Sequence, residues 1–224
     1  MRLNNANGNT FRLARQMFAV GTLLICGSLL GAVLAYQAYL GELFSPVNHS
    51  LSELGTYGSS SLAVVANGGL FFGGLLLSLS CLQGLRSVPG FGVAIWLLLA
   101  AAWLLLAIVG LFPSNVYHLH TAALQWYFYF ALASSMGYWL WLALRPTKPQ
   151  SKSALAFCSI TVLFVSAFLV LPHLALETLP FNRAFYEEIY PPFPRPGLWW
   201  PAVLEWGSLI SMLLWQAELL RCPD

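Results

Sequence analysis

Charge is scarce in this 224-residue sequence: Asp, Glu, Lys and Arg together make up 8% of it, beside 58% hydrophobic residues. A soluble domain carries about 25% charged residues. So little charge cannot clothe a water-facing surface, which excludes an ordinary soluble globular domain and leaves lipid as the main solvent. The net charge of +2 is small. The basic residues are spread over the loops rather than gathered into a patch, which excludes a nucleic-acid footprint. Cysteine is equally sparse. Cys26, Cys81 and Cys158 sit inside apolar runs and Cys222 near the C-terminus, so there is no disulfide framework and the thiols read as small buried hydrophobes. Also missing are the H-E-x-x-H spacing of zinc hydrolases and the G-x-S-x-G elbow of serine hydrolases. No catalytic signature stands out.

What the sequence does have is long apolar runs. A bilayer core needs about 20 apolar residues in a helix, and six runs qualify, at 17–40, 62–85, 91–112, 120–144, 153–175 and 199–220. Backbone polar groups in lipid must pair within their own segment, so these runs are helices. The fold expected is therefore all-α: a polytopic membrane protein with a six-transmembrane-helix bundle. It comprises an N-terminal segment 1–16, one transmembrane domain 17–220 and a tail 221–224. The first run, about 23 apolar residues, exceeds the roughly 7–15 of a signal-peptide core and reads as a retained anchor. With the N-terminus inside, the inner segments hold eight basic residues (Arg2, Arg12, Arg15, Arg86, Arg145, Lys148, Lys152, Arg221) and the outer loops hold two (Arg183, Arg195). That bias places both termini in the cytoplasm of a multi-pass cell-membrane protein. Gly27 with Gly31, and Gly69 with Gly73, make small-xxx-small pairs suited to close helix packing. Trp199 and Trp200 read as part of an outer aromatic belt.

In this orientation the polar residues fall at one end. His49, His118, His120 and His173 all lie at outer ends of spans or in outer loops, as do Glu42, Glu53, Glu177, Glu187 and Glu188. Glu205 lies inside the sixth run and Asn67 at similar depth in the second. Polar groups at membrane depth are costly and face a bundle interior or a wet cavity. The outer half therefore reads as the functional half. The candidate binding residues are Glu53, Asn67, His118, His120 and Glu205.

The stretch SPVNHSLSELG, residues 45–55, is the most polar of all. Ser45 before Pro46 reads as an N-cap and first helical position, and Gly55 as the helix end. On such a helix His49 and Glu53 share a face, with Ser52 beside it. A second reading stands next to it: Ser50-x-x-Glu53 is a capping-box pattern, in which the carboxylate satisfies backbone donors. Glu53, His120, His49 and Ser52 are the catalytic candidates. His49, His118, His120 and Glu53 are candidate zinc ligands by residue type, although His118 and His120 serve one site only if His118 precedes the helix. The alternative is a hydrogen-bonded polar network with no cofactor. EEIYPPFPRPGLWW reads as a rigid Pro-rich outer connector.

The order of short motifs is distinctive: Ser52-Glu53-Leu54-Gly55 after the first span, Asn67 in the second, Gly110-Leu111-Phe112-Pro113 closing the third and His120-Thr121-Ala122-Ala123 opening the fourth. This resembles the prokaryotic membrane family catalogued as domain of unknown function 998. More distantly it is similar to the Frag/DRAM/Sfk group of six-span proteins. The resemblance covers the first four spans by motif and the last two by hydropathy. It implies a six-helix bundle with a polar outer cluster built from Glu53, Asn67 and His120, and it implies no reaction. The distant group's association with lipid handling is analogy at the level of fold. Three function classes follow. The first is a non-enzymatic protein binding membrane lipid or a membrane partner through its outer face. The second is a lipid-headgroup hydrolase or transferase using a His/Glu pair, with or without zinc. The third is a transporter, disfavoured by the lack of ionisable groups chained across the bilayer.

Overall fold

The computed structural model describes residues 2–36, 43–58, 60–85, 88–144, 151–171 and 194–221, with backbone alone for residues 2–10 and Tyr117. Among them lie seven helices: α1 (Arg2–Leu34), α2 (Leu51–Leu54), α3 (Ala63–Gly84), α4 (Phe91–Leu111), α5 (Tyr117–Leu144), α6 (Lys152–Val170) and α7 (Trp200–Arg221). The six long helices coincide with the six apolar runs. α1 reaches back to Arg2, so the segment read as 1–16 is helical almost throughout and continuous with the first run. His173, Glu42, Glu177, Glu187, Glu188, Cys222 and most of the Pro-rich connector lie outside the described residues.

Local chemistry sets the helix ends. Gly90, at φ 64°, supplies the left-handed residue that starts α4. Phe112 ends it in extended conformation (φ −112°, ψ 93°) because Pro113 follows. Ser151 caps α6, its hydroxyl accepting from the Ala154 amide at 3.4 Å. Pro201 sits in the first turn of α7, where its missing N–H costs nothing.

Each long helix packs on the next in the chain, and α7 returns to touch α1. The packing of α1, α3 and α4 relies on glycine. A Cβ on Gly73 would meet the Gly21 carbonyl oxygen of α1 at 2.8 Å, and one on Gly69 would strike the Ser28 side chain. A Cβ on Gly74 would lie 2.8 Å from the Ala107 amide and Trp103 carbonyl of α4, and one on Gly110 would lie 2.6 Å from the Asn67 carbonyl of α3. The Gly69/Gly73 pair is thus a packing surface, as its spacing predicts. The Gly27/Gly31 pair is not: Gly27 has nothing within 4 Å and Gly31 meets only Leu62. α1 offers Gly21 and Ser28 instead.

The exterior of the bundle is apolar, with Leu23, Val64, Leu104, Met136, Leu163 and Ile210 all exposed. Four helical stretches are long and apolar enough to cross a membrane: Phe11–Leu34, Ala63–Gly84, Phe91–Leu111 and Lys152–Val170. α5 and α7 are as long but more polar, and much of that polarity is turned inward: His120, Ser134 and Ser135 on α5, and Glu205, Ser208, Ser211 and Gln216 on α7, are buried. Charge-poor composition, apolar exterior and long apolar helices together make this an integral membrane protein.

Candidate functional site: a polar cap at one end of the bundle

Three chain segments meet at one end, which we call the capped end. Trp199 N–H donates to the Val47 carbonyl at 2.9 Å. The Thr56 and Ser114 hydroxyls lie 2.6 Å apart, and the Tyr57 amide donates to Asn115 Oδ1 at 2.8 Å. Residues 43–58, 112–116 and 194–199 are thereby tied together. Trp199 is buried, unlike the interfacial position its sequence suggests; Trp200 is the exposed one of the pair.

The polar stretch 45–55 folds as a turn followed by a single helical turn. The Asn48 and His49 amides both donate to the Ser45 carbonyl, at 3.1 and 2.8 Å. The helix then starts at Leu51 with Ser50 as N-cap. Ser50 Oγ accepts from the Glu53 amide at 3.3 Å, and Glu53 Oε1 accepts from the Ser50 amide at 2.8 Å. The capping box is therefore real, and the helix expected from Pro46 is not formed. His49 precedes the N-cap, so it does not share a helical face with Glu53.

Glu53 has a second role. Arg195 reaches it with both guanidinium nitrogens, Nη2 to Oε2 at 2.8 Å and Nη1 to Oε1 at 3.2 Å. Arg195 also donates to the Asn48 carbonyl at 2.7 Å. Such a fork-on-carboxylate pair fixes orientation as well as charge. Tyr36 approaches the same carboxylate at 3.4 Å. This pair latches the segment before α7 onto α2. In the sequence Arg195 counts only as one of two basic residues of the outer loops; the prolines on either side of it, which restrict where its backbone can point, are the available signal.

The centre of the cap is a chain of three buried side chains from three helices. Glu205 of α7 accepts the Leu51 amide at Oε2 (2.9 Å), one of the donors left open at the start of α2. Its Oε1 lies 2.8 Å from Ser52 Oγ. Ser52 Oγ is in turn 3.1 Å from His120 Nε2 of α5, and His120 Nδ1 is 2.8 Å from the Phe112 carbonyl that ends α4. Ser52, His120 and Glu205 are 4%, 3% and 7% exposed, so the chain is closed to solvent. Asn67 flanks it without joining: its Nδ2 donates to the Gly55 carbonyl at 2.9 Å. Gly55 ends α2 in ordinary right-handed geometry (φ −88°). Glycine is needed there because a Cβ would collide with Asn67 Oδ1.

Ser52, His120 and Glu205 thus come together, with Glu53 on the same short helix and Asn67 at its end. His49 and His118 are directed elsewhere. The buried His49 ring lies edge-on to Tyr36 (centroids 5.2 Å apart) and against Phe44 (5.0 Å), with Nδ1 2.7 Å from Asn48 Oδ1. Its backbone carbonyl accepts from Trp206 Nε1 at 3.0 Å. His118 does not precede the helix; it stands exposed in the first turn of α5, two residues from His120 and so on another face. Among the described residues no three His, Cys, Asp or Glu side chains gather as a metal site.

Directly below the cap, an apolar crevice of about 440 Å³ opens between α1 and α7. Phe44, Pro46 and Trp206 line its upper part, and Cys26, Leu30 and Ile210 are among its walls.

No curated protein and no solved structure matches this chain. One family does: its description is "Protein of unknown function (DUF998)", and its match runs over residues 24–219. That span takes in α2 to α6, all but the last two residues of α7 and the cap residues just described, and the chain belongs to this family.

Proposed function

We propose that this protein crosses the cell membrane six times, with both termini in the cytoplasm and the cap outside, and that it binds membrane lipid in the crevice between α1 and α7. The crevice is the observation that carries the reading. It is lined by apolar side chains, opens on the flank of the bundle where acyl chains lie, and ends beneath the polar cap. An apolar cleft roofed by polar groups suits an amphiphile. The cap then acts as a lock that holds α2 over the top of the crevice, with Ser52, His120 and Glu205 satisfying one another. Cys26→Trp tests this, because the thiol is exposed on the crevice wall and indole would fill the space. Native mass spectrometry of the detergent-extracted protein is expected to show co-purifying lipid on the wild type and several-fold less on the variant. Equal lipid on both would remove the crevice as the binding site.

A second reading rests on the 3.1 Å contact between Ser52 Oγ and His120 Nε2, with Nδ1 anchored on the Phe112 carbonyl. That is the arrangement of a serine nucleophile and its base. Its burial and the Glu205 contact on the same hydroxyl weigh against it. A fluorophosphonate probe that labels the wild type and spares Ser52→Ala would establish an acyl-transfer enzyme in place of a lipid-binding lock.

A further inference from the structure

The hydrogen bonds at the centre of the cap can be counted proton by proton. A carbonyl oxygen only accepts, so His120 Nδ1 must carry the hydrogen that bonds Phe112. If the imidazole is neutral, Nε2 is then bare. Two junctions remain, Nε2 to Ser52 Oγ at 3.1 Å and Ser52 Oγ to Glu205 Oε1 at 2.8 Å, and each needs one hydrogen. Ser52 has a single hydroxyl hydrogen and fills one of them. Neutral His120 with ionised Glu205 therefore leaves two acceptors face to face in a buried site, which is costly.

One added proton completes the chain, and it does so in two ways. In the first, His120 is the imidazolium: Nε2–H donates to Ser52 Oγ, and Ser52 donates to the Glu205 carboxylate. In the second, Glu205 is the neutral acid and donates to Ser52 Oγ, while Ser52 donates to the bare Nε2. The two differ by a concerted shift: the Nε2 proton passes to the hydroxyl oxygen as the hydroxyl proton passes to the carboxylate. No heavy atom moves and the sum of charges is zero in both.

We propose that His120, Ser52 and Glu205 form a single proton-binding site, with Ser52 as the relay between α5 and α7. The other titratable groups facing it leave that count unchanged. Glu53 faces Glu205 from α2 and is ion-paired with Arg195. Tyr127 faces Glu205 from α5 and donates to Met212 Sδ at 3.2 Å.

The count predicts a pH dependence whose sign is set. Above the ordinary histidine range, near about pH 6.5, the unfolded chain holds neither proton while the folded site holds one. Stability then falls as pH rises, and this site alone raises the unfolding constant about tenfold per pH unit until the folded site also gives up its proton. Glu205→Gln removes that contribution. Its amide N–H donates to Ser52, its carbonyl accepts the Leu51 amide, and Ser52 donates to neutral His120, with no added proton required. Denaturant unfolding of the full-length protein in micelles, followed between about pH 7 and pH 9, reads the difference. We expect the unfolding constant of the wild type to rise relative to that of Glu205→Gln, by up to tenfold per pH unit. Parallel pH profiles would overturn the proposal. So would a Glu205→Gln protein that cannot fold at pH 8, because its carbonyl still faces the Leu51 and Ser52 backbone amides and its amide N–H replaces the donor of the protonated acid.

Discussion

Asn67 and Gly55 fit only each other. The Asn67 amide occupies the space a Gly55 side chain would need while donating to the Gly55 carbonyl at 2.9 Å. Gly55→Ala should therefore cost about 1–3 kcal/mol through overpacking. Asn67→Ala should cost about 1 kcal/mol for the lost bond. Once Asn67 is shortened the new methyl group has room, so the double variant should lose less than the sum, with a coupling of about 0.5–3 kcal/mol. Unfolding midpoints of the four proteins in detergent close this cycle, and strict additivity would show that the contact does not matter. At this scale the sequence was legible only where partners are near. Ser50-x-x-Glu53 is a local pattern and forms as a capping box. Gly55 was legible as a helix end, but its reason is a side chain 12 positions away, and Ser52 meets Glu205 across 153. Local spacing carries no signal for such pairs.

Among the elements, α3 has the tightest surroundings, with glycine facing α1 on one side and α4 on the other. Without a hydrophobic drive between helices in lipid, close backbone approach supplies much of the packing. Gly74→Ala places a methyl group 2.8 Å from two backbone atoms of α4, which cannot turn aside as a side chain can. It should destabilise the bundle by about 1–3 kcal/mol. Gly27→Ala should stay within about 0.5 kcal/mol, because nothing lies within 4 Å of the added carbon. Equal effects in a thermal-melt comparison would sink this assignment of faces. The contrast also explains what could be read from sequence. A four-residue spacing of small residues shows that a helix has a smooth face. It does not show which face meets a neighbour, and on α1 the Gly27 face borders an open groove of about 720 Å³ while Gly21 and Ser28 make the contact.

For the whole molecule, the six long helices were legible because each run must satisfy its own backbone in lipid, independently of its neighbours. The inward polarity of α5 and α7 is a property of the assembled bundle. It dilutes their hydropathy while placing Glu205, His120 and Gln216 where only other helices see them. The grouping of residues 43–58, 112–116 and 194–199 at one end fits an alternation of spans, and the proposed orientation follows from the distribution of Lys and Arg, eight against two. At the other end Arg15 donates to the Leu220 carbonyl at 2.8 Å, and Arg221 pairs with Glu218 at 2.7 Å, so basic side chains concentrate opposite the cap. Single cysteines at Tyr57 and Val116, both exposed at the capped end, should react with a membrane-impermeant maleimide on intact cells. Cysteines at Phe91 and Lys152, exposed at the opposite end, should react only after permeabilisation. The reverse pattern would invert the orientation and put the cap inside. Labelling of all four from one side would mean that the helices do not alternate across the bilayer, and six spans would no longer hold.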